Sequence, residues 1–130
     1  MEEVYEFLKK CNTYYLATVE GLKPKVRPFG TVNIFENKLY IQTGRAKKVS
    51  KQIEINPNVE LCAFDGNTWI RVEATAIEDN RIEPKERMLE AYPELKSMYD
   101  AKDNNTQVFY LTDVITTFET LGKEKRIVEF

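Results

Sequence analysis

The sequence predicts a mainly β (α+β) domain: a small antiparallel β-barrel of six to seven strands with short helices packed at its ends. Three observations carry this. Segments rich in β-branched and aromatic residues recur along most of the chain and are joined by short turn signals. Helical periodicity is confined to the opening segment, one stretch in the middle and an excursion before the last strands. The chain has 130 residues, 42% of them hydrophobic, with no repeat or low-complexity linker. One domain over 1–130 with a real core suits that length.

Element by element, Val4, Phe7, Leu8 and Cys11 fall at i, i+3, i+4 and i+7 and mark an amphipathic helix. Thr13 to Val19 reads as a strand, and Glu20-Gly21-Leu22 turns the chain. Lys25 to Phe35 alternates as one second strand. Val26, Pro28, Gly30, Val32 and Ile34 then share one face, and Arg27, Phe29, Thr31 and Asn33 the other. Glu36-Asn37-Lys38 turns into a strand over Leu39 to Thr43. A helix follows from Ala46 to about Ile55, stopped by Asn56-Pro57.

Asp65-Gly66-Asn67 joins strands Val59–Phe64 and Thr68–Ile77 as a hairpin. Pro84 suits a first helical turn that runs on to Ala91, and Pro93 starts a short helix carrying Leu95 and Met98. Strands over Gln107–Thr112 and Ile115–Leu121 and a basic-then-apolar tail finish the chain. Closing such a sheet into a barrel removes its unpaired edges.

Composition excludes several chemistries. There is no histidine, so His-dependent hydrolytic triads and His-ligated zinc, iron or haem are absent. Cys11 and Cys62 are far apart in sequence and read as buried free thiols, which suits a reducing compartment. The five glycines are scattered and form neither a GxGxxG nor a P-loop motif. The acidic opening Met1-Glu2-Glu3 is unlike a secretory or transit peptide, and no apolar run is long enough to span a bilayer. The expectation is a cytoplasmic protein that binds no membrane.

Charge is unevenly placed. Between Lys23 and Lys51 eight basic residues face one acid, Glu36. That segment carries +7 and leaves −9 for the rest of a chain whose net charge is −2. A confined basic field in an acidic chain suits a compact anion better than nucleic acid, which needs a broad basic face. Lys47 and Lys48 fall in the first turn of the central helix, where the macrodipole disfavours cations and where backbone amides and ammonium groups together make a phosphate site. The alternative is a solvated lysine face. Arg27 on a strand is either an ion-pair residue or a ligand group, and Trp69 either core, interface or a stacking wall.

Four segments in order, Arg27-Pro28-Phe29-Gly30, Gln42-Thr43-Gly44, Lys47-Lys48 with Gln52-Ile53, and Asn56-Pro57-Asn58-Val59, resemble the FMN-binding split barrel of the pyridoxamine 5′-phosphate oxidase-like superfamily. The small bacterial branch of nitroimidazole-resistance-type proteins is the most similar. The resemblance implies a split barrel in which Arg27, Pro28, Phe29 and Gly30 flank FMN, with Arg27 reaching its phosphate. Gln42 and Thr43 share that pocket, and Lys47 and Lys48 hold the phosphate. Trp69 would approach from the second subunit of a homodimer. It further implies a flavin-dependent oxidoreductase acting on a small molecule, with a nicotinamide electron donor. A deazaflavin coenzyme, used by some relatives, is the alternative cofactor. A non-catalytic module for flavin or another phosphorylated ligand is the alternative function.

The arginine-histidine substrate element of true pyridoxamine-phosphate oxidases is missing, and Val32 stands where their second-strand lysine does. Oxidation of vitamin B6 is therefore not expected. No general acid is singled out; Tyr14, Tyr15 and Tyr40 are the candidate proton donors.

Overall fold

The computed structural model describes all of residues 1–130. Eight antiparallel strands form one sheet: β1 (Tyr14–Glu20), β2 (Lys23–Phe29), β3 (Asn33–Phe35), β4 (Lys38–Gly44), β5 (Asn58–Phe64), β6 (Thr68–Asp79), β7 (Thr106–Thr120) and β8 (Arg126–Glu129). Around it lie helices α1 (Glu2–Cys11), α2 (Lys48–Ile55) and α3 (Ile82–Ala91), and a 3₁₀ helix over Pro93–Ser97. None of the helices is long and apolar enough to cross a membrane.

Strand order is β2-β1-β5-β6-β7-β4-β3, with β8 on the free side of β7 beyond β4. The two edge strands, β2 and β3, are consecutive in the chain. Four residue steps from Phe29 to Asn33 span at most about 14 Å, so the two edges of a seven-strand path must lie close together. The sheet therefore curls into a barrel shape, yet no backbone ladder joins β2 to β3. This is a split barrel, and the expected closure by strand pairing does not occur. The split lies where Gly30–Val32 crosses from one edge to the other.

Four expectations are corrected. The single strand over Lys25–Phe35 is two strands. Its outer half buries Arg27 and Phe29 partly while Val26 and Pro28 face solvent, whereas beyond the crossing Val32 is fully buried. The face assignment thus holds only as far as Phe29. The last two predicted strands are one fifteen-residue strand, β7, interrupted by a bulge. Asp113 takes φ +51° there and the register with β6 slips opposite Ala74. The tail forms β8, which makes the strand count eight. The cysteines are free, but only Cys11 is half-buried and Cys62 is exposed, because period-two alternation turns it outward beside inward-facing Leu61 and Ala63.

The turns follow their chemistry. Glu36 and Asn37 both take positive φ, +49° and +61°, as a tight hairpin loop requires. At the next hairpin Gly66 takes φ +100°, and the Asp65 carboxylate accepts the Asn67 and Thr68 N–H groups at 2.9 and 2.7 Å. One core fills the barrel, including Leu16, Ile41, Leu61, Ile70 and Val72, capped by Val4 and Leu8 of α1 and Val49 and Ile53 of α2. A second cluster, Phe35, Tyr40, Met88 and Val108, seats α3 outside β4.

Candidate functional site

The split in the barrel opens a cleft of about 340 Å³. Arg27 to Thr31 form one bank, Gln42 and Thr43 of β4 the floor, and Lys47 and Val49 the end at α2. Leu95, Met98 and Tyr99, on and just after the 3₁₀ helix, form the opposite bank. A second cleft of about 320 Å³ continues past Arg27, Lys47 and Val49, which line both, to Lys25, Lys48, Glu20 and Gln52.

Arg27 is held from inside. Its Nη1 donates to the Leu16 carbonyl at 3.2 Å and to Thr18 Oγ1 at 2.7 Å, and its Nη2 donates to Gln52 Oε1 at 2.6 Å. The buried Thr18 hydroxyl donates to the same Gln52 oxygen, and Gln52 Nε2 donates to the Glu20 carboxylate at 3.1 Å. Burial lowers the Arg27 pKa from its ordinary value, although guanidinium remains charged in proteins. Its acceptors in the chain are neutral. Arg27, Lys47 and Lys48 form no ion pair within the chain, whereas Arg45, Arg71, Arg81 and Arg126 each do.

The start of α2 adds to this cationic end. Lys47 is its N-cap in an extended conformation, no side chain caps the helix, and no acid lies in its first turn. The start of α2, Lys47 to Val49, thus lines the second cleft at the positive end of the helix dipole, with Glu20, held by Gln52, as the nearby counter-charge.

At the other end, the floor carries an anomaly. Gln42 is 6% exposed, and neither its Oε1 nor its Nε2 has a hydrogen-bond partner. A buried amide left unpaired costs about 1–3 kcal/mol; Gln107 Oε1 and Thr116 Oγ1 are likewise unpartnered, but Gln42 is the one of the three that lines this cleft. Its backbone is well placed: Gln42 N–H donates to Thr31 Oγ1 at 3.1 Å, and the Tyr14 hydroxyl donates to the Thr31 carbonyl at 2.7 Å. Burial raises the Tyr14 phenol well above its ordinary value. That hydroxyl is a structural donor.

Seven of the nine predicted site residues, Arg27, Pro28, Phe29, Gly30, Gln42, Thr43 and Lys47, share the first cleft, and Lys48 lines the second. Trp69 lies apart from both. Its indole N–H donates to Glu119 at 3.0 Å, beside Arg71 on the same carboxylate. Sequence reasoning missed Thr31, Val49 and the bank of Leu95, Met98 and Tyr99. The available signal was the pair Leu95 and Met98, three apart in a Pro-initiated helix with no core of its own to face.

The family model described as pyridoxamine 5′-phosphate oxidase matches residues 1–112. Among solved structures, a NimC/NimA family protein of Clostridium acetobutylicum is 42% identical, covers 98% of this chain and 93% of that one, and superposes with a TM-score of 0.93. General Stress Protein 26 of Bacillus anthracis is 23% identical over 98% of this chain and 97% of that one, with a TM-score of 0.75. A pyridoxamine 5′-phosphate oxidase-related, FMN binding protein of Nostoc punctiforme is 14% identical over 99% and 93%, with a TM-score of 0.70. The last two are likenesses of fold. No curated protein matches by sequence.

Proposed function

This chain belongs to the pyridoxamine 5′-phosphate oxidase family, in its NimC/NimA branch, and from that premise we propose that it is an FMN-binding oxidoreductase. The observation that supports this best is two clefts that share Arg27 and Lys47, neither of them in an ion pair, with the unpartnered, buried Gln42 amide in the wall of the first and Lys48 in that of the second. A ligand with a hydrogen-bonding ring system and a phosphate matches both clefts, and a fold relative is described as FMN-binding.

The residues fit FMN. Lys47, Lys48 and the first turn of α2, which no side chain caps, would take the phosphate. Arg27, at the junction of the two clefts, supplies a charge that Thr18 and Gln52 hold in place. Phe29, Leu95 and Met98 give apolar walls, and Thr43 and Gln42 give polar contacts on the floor. FMN, when bound, supplies hydride exchange at its N5; the protein supplies binding, orientation and electrostatics.

The proposed enzyme acts on a small molecule in the cytoplasm with a nicotinamide donor, as a homodimer. Trp69 then serves the cleft of the second copy, being outside the cleft of its own. The outward sheet face supports a dimer: Tyr15, Val26 and Phe64 are each more than half exposed there, and such apolar patches favour association.

The test is the absorption spectrum of the purified protein before and after adding FMN, with gel filtration and sedimentation. Oxidised-flavin peaks shifted from free FMN and co-eluting with a dimer support the reading. A featureless spectrum with no uptake on titration removes FMN, and a deazaflavin coenzyme is then titrated. Turnover of a nicotinamide donor supports the oxidoreductase; tight FMN without turnover assigns the chain to flavin binding alone.

A further inference from the structure

We propose that Tyr92 is a positioning residue for the cleft, its hydroxyl fixing the Gly30–Val32 crossing against the bank formed by Leu95, Met98 and Tyr99. The role in cofactor binding rests on the FMN reading above. The Gly30–Val32 crossing, which ends the Arg27-to-Thr31 bank, has no strand partner, and Val32 is 1% exposed. Its backbone N–H and carbonyl must find partners elsewhere.

Both are met by one atom. Val32 N–H donates to the Tyr92 hydroxyl oxygen at 3.1 Å, and that hydroxyl donates to the Val32 carbonyl at 3.1 Å. A phenol oxygen has one further acceptor site. Lys9 Nζ of α1 takes it at 3.4 Å, with its ammonium 4.4 Å from the centre of the Tyr92 ring. The hydroxyl is thereby fully used, and three elements meet on it.

Tyr92 is also the joint between α3 and the 3₁₀ helix. Its N–H donates to the Met88 carbonyl at 3.1 Å and its carbonyl accepts from Leu95 N–H at 3.0 Å. The bank therefore begins at the residue that holds Val32. Its far end rests on Gly44, where a Cβ would come 3.2 Å from the Tyr99 ring. The Leu95–Tyr99 bank is thus tied to the crossing by Tyr92 at one end and packs on β4 at Gly44 at the other.

The experiment compares wild type, Tyr92→Phe and Val72→Ala, a core change under β6 that lines neither cleft. Amide exchange at Val32, the thermal midpoint without cofactor, and FMN affinity and absorption band shape are measured for each. Tyr92→Phe is expected to speed Val32 exchange at least about tenfold and to weaken FMN by about five- to fiftyfold with an altered band. Val72→Ala is expected to lower the midpoint with affinity and band unchanged.

Unchanged Val32 exchange, or unchanged FMN affinity, in a folded Tyr92→Phe protein overturns the inference. So does an equal loss of affinity in Val72→Ala. If wild type takes up no FMN, the functional reading fails, while Val32 exchange still decides whether Tyr92 holds the crossing. If Tyr92→Phe does not fold, Lys9→Met removes one donor from the same hydroxyl and is judged on the same readouts.

Discussion

Arg27 Nη2 lies 2.6 Å from Gln52 Oε1, so a strand at the edge of the sheet and the helix that starts at the basic pair are joined through a charged hydrogen bond. Gln52 thereby orients a cation that lines both clefts. Gln52→Met keeps the side-chain length and removes the acceptor. It is expected to cost about 1–3 kcal/mol in urea unfolding and to weaken FMN about tenfold. Full FMN affinity in a destabilised Gln52→Met protein would make Arg27 a structural residue only.

The basic pair is a direct test of the phosphate end. Neither Lys47 nor Lys48 has an acidic partner in the chain, so replacing both with alanine removes little internal contact. The double variant should melt within a few degrees of wild type. Its FMN affinity should fall about a hundredfold or more if each lysine makes a charge-assisted bond. An unchanged dissociation constant takes both lysines out of the site.

Gln42 should show opposite effects on stability and function. Its amide is buried and unpaired without ligand, so Gln42→Met relieves a desolvation cost of about 1–3 kcal/mol. The cofactor-free midpoint is expected to rise by several degrees, while FMN binds more weakly. Calorimetry of the free protein and a flavin titration check both halves. A lower midpoint would mean that Gln42 has a partner of its own.

Asp79 is one of three aspartates that contribute to the acid limb of stability, with Asp65 and Asp103. The Arg81 guanidinium, then the Tyr40 hydroxyl at 2.8 Å and the Arg81 N–H, hold its carboxyl down at about 2, against an ordinary 3.8. The folded state thus favours the ionised form. That contribution, about 2 kcal/mol, is complete above about pH 4 and is lost as pH falls towards 2. Asp79→Asn should be less stable at pH 7, and its deficit should vanish between pH 4 and 2. A deficit independent of pH would trace it to packing.

Much of this molecule was legible in the sequence because its turns are chemically explicit. Asp65-Gly66 and Glu36-Asn37 fix two hairpins without help from the rest of the chain. The break at Gly30–Val32 was not legible, because alternation continues through it and only the curl of the whole sheet makes it a crossing. Asp113 fell between two predicted strands, yet β4, β6 and β8 together keep β7 continuous through the bulge. The cations of the site were visible as charge. Thr18 and Gln52 were not visible as their support, since that role exists only once β1, β2 and α2 are packed together.

The strand order also dictates when the cleft can exist during synthesis. The hairpins β1–β2 and β3–β4 are made early but end at opposite edges of the sheet, separated by β5, β6 and β7. Only after β7 has paired with both β6 and β4 are the two hairpins joined into one sheet. Long-range pairing of this kind is slow, and the cleft also needs Leu95, Met98 and Tyr99, which are made after β6. On the proposed reading, cofactor capture would therefore come late, after the polypeptide is nearly finished.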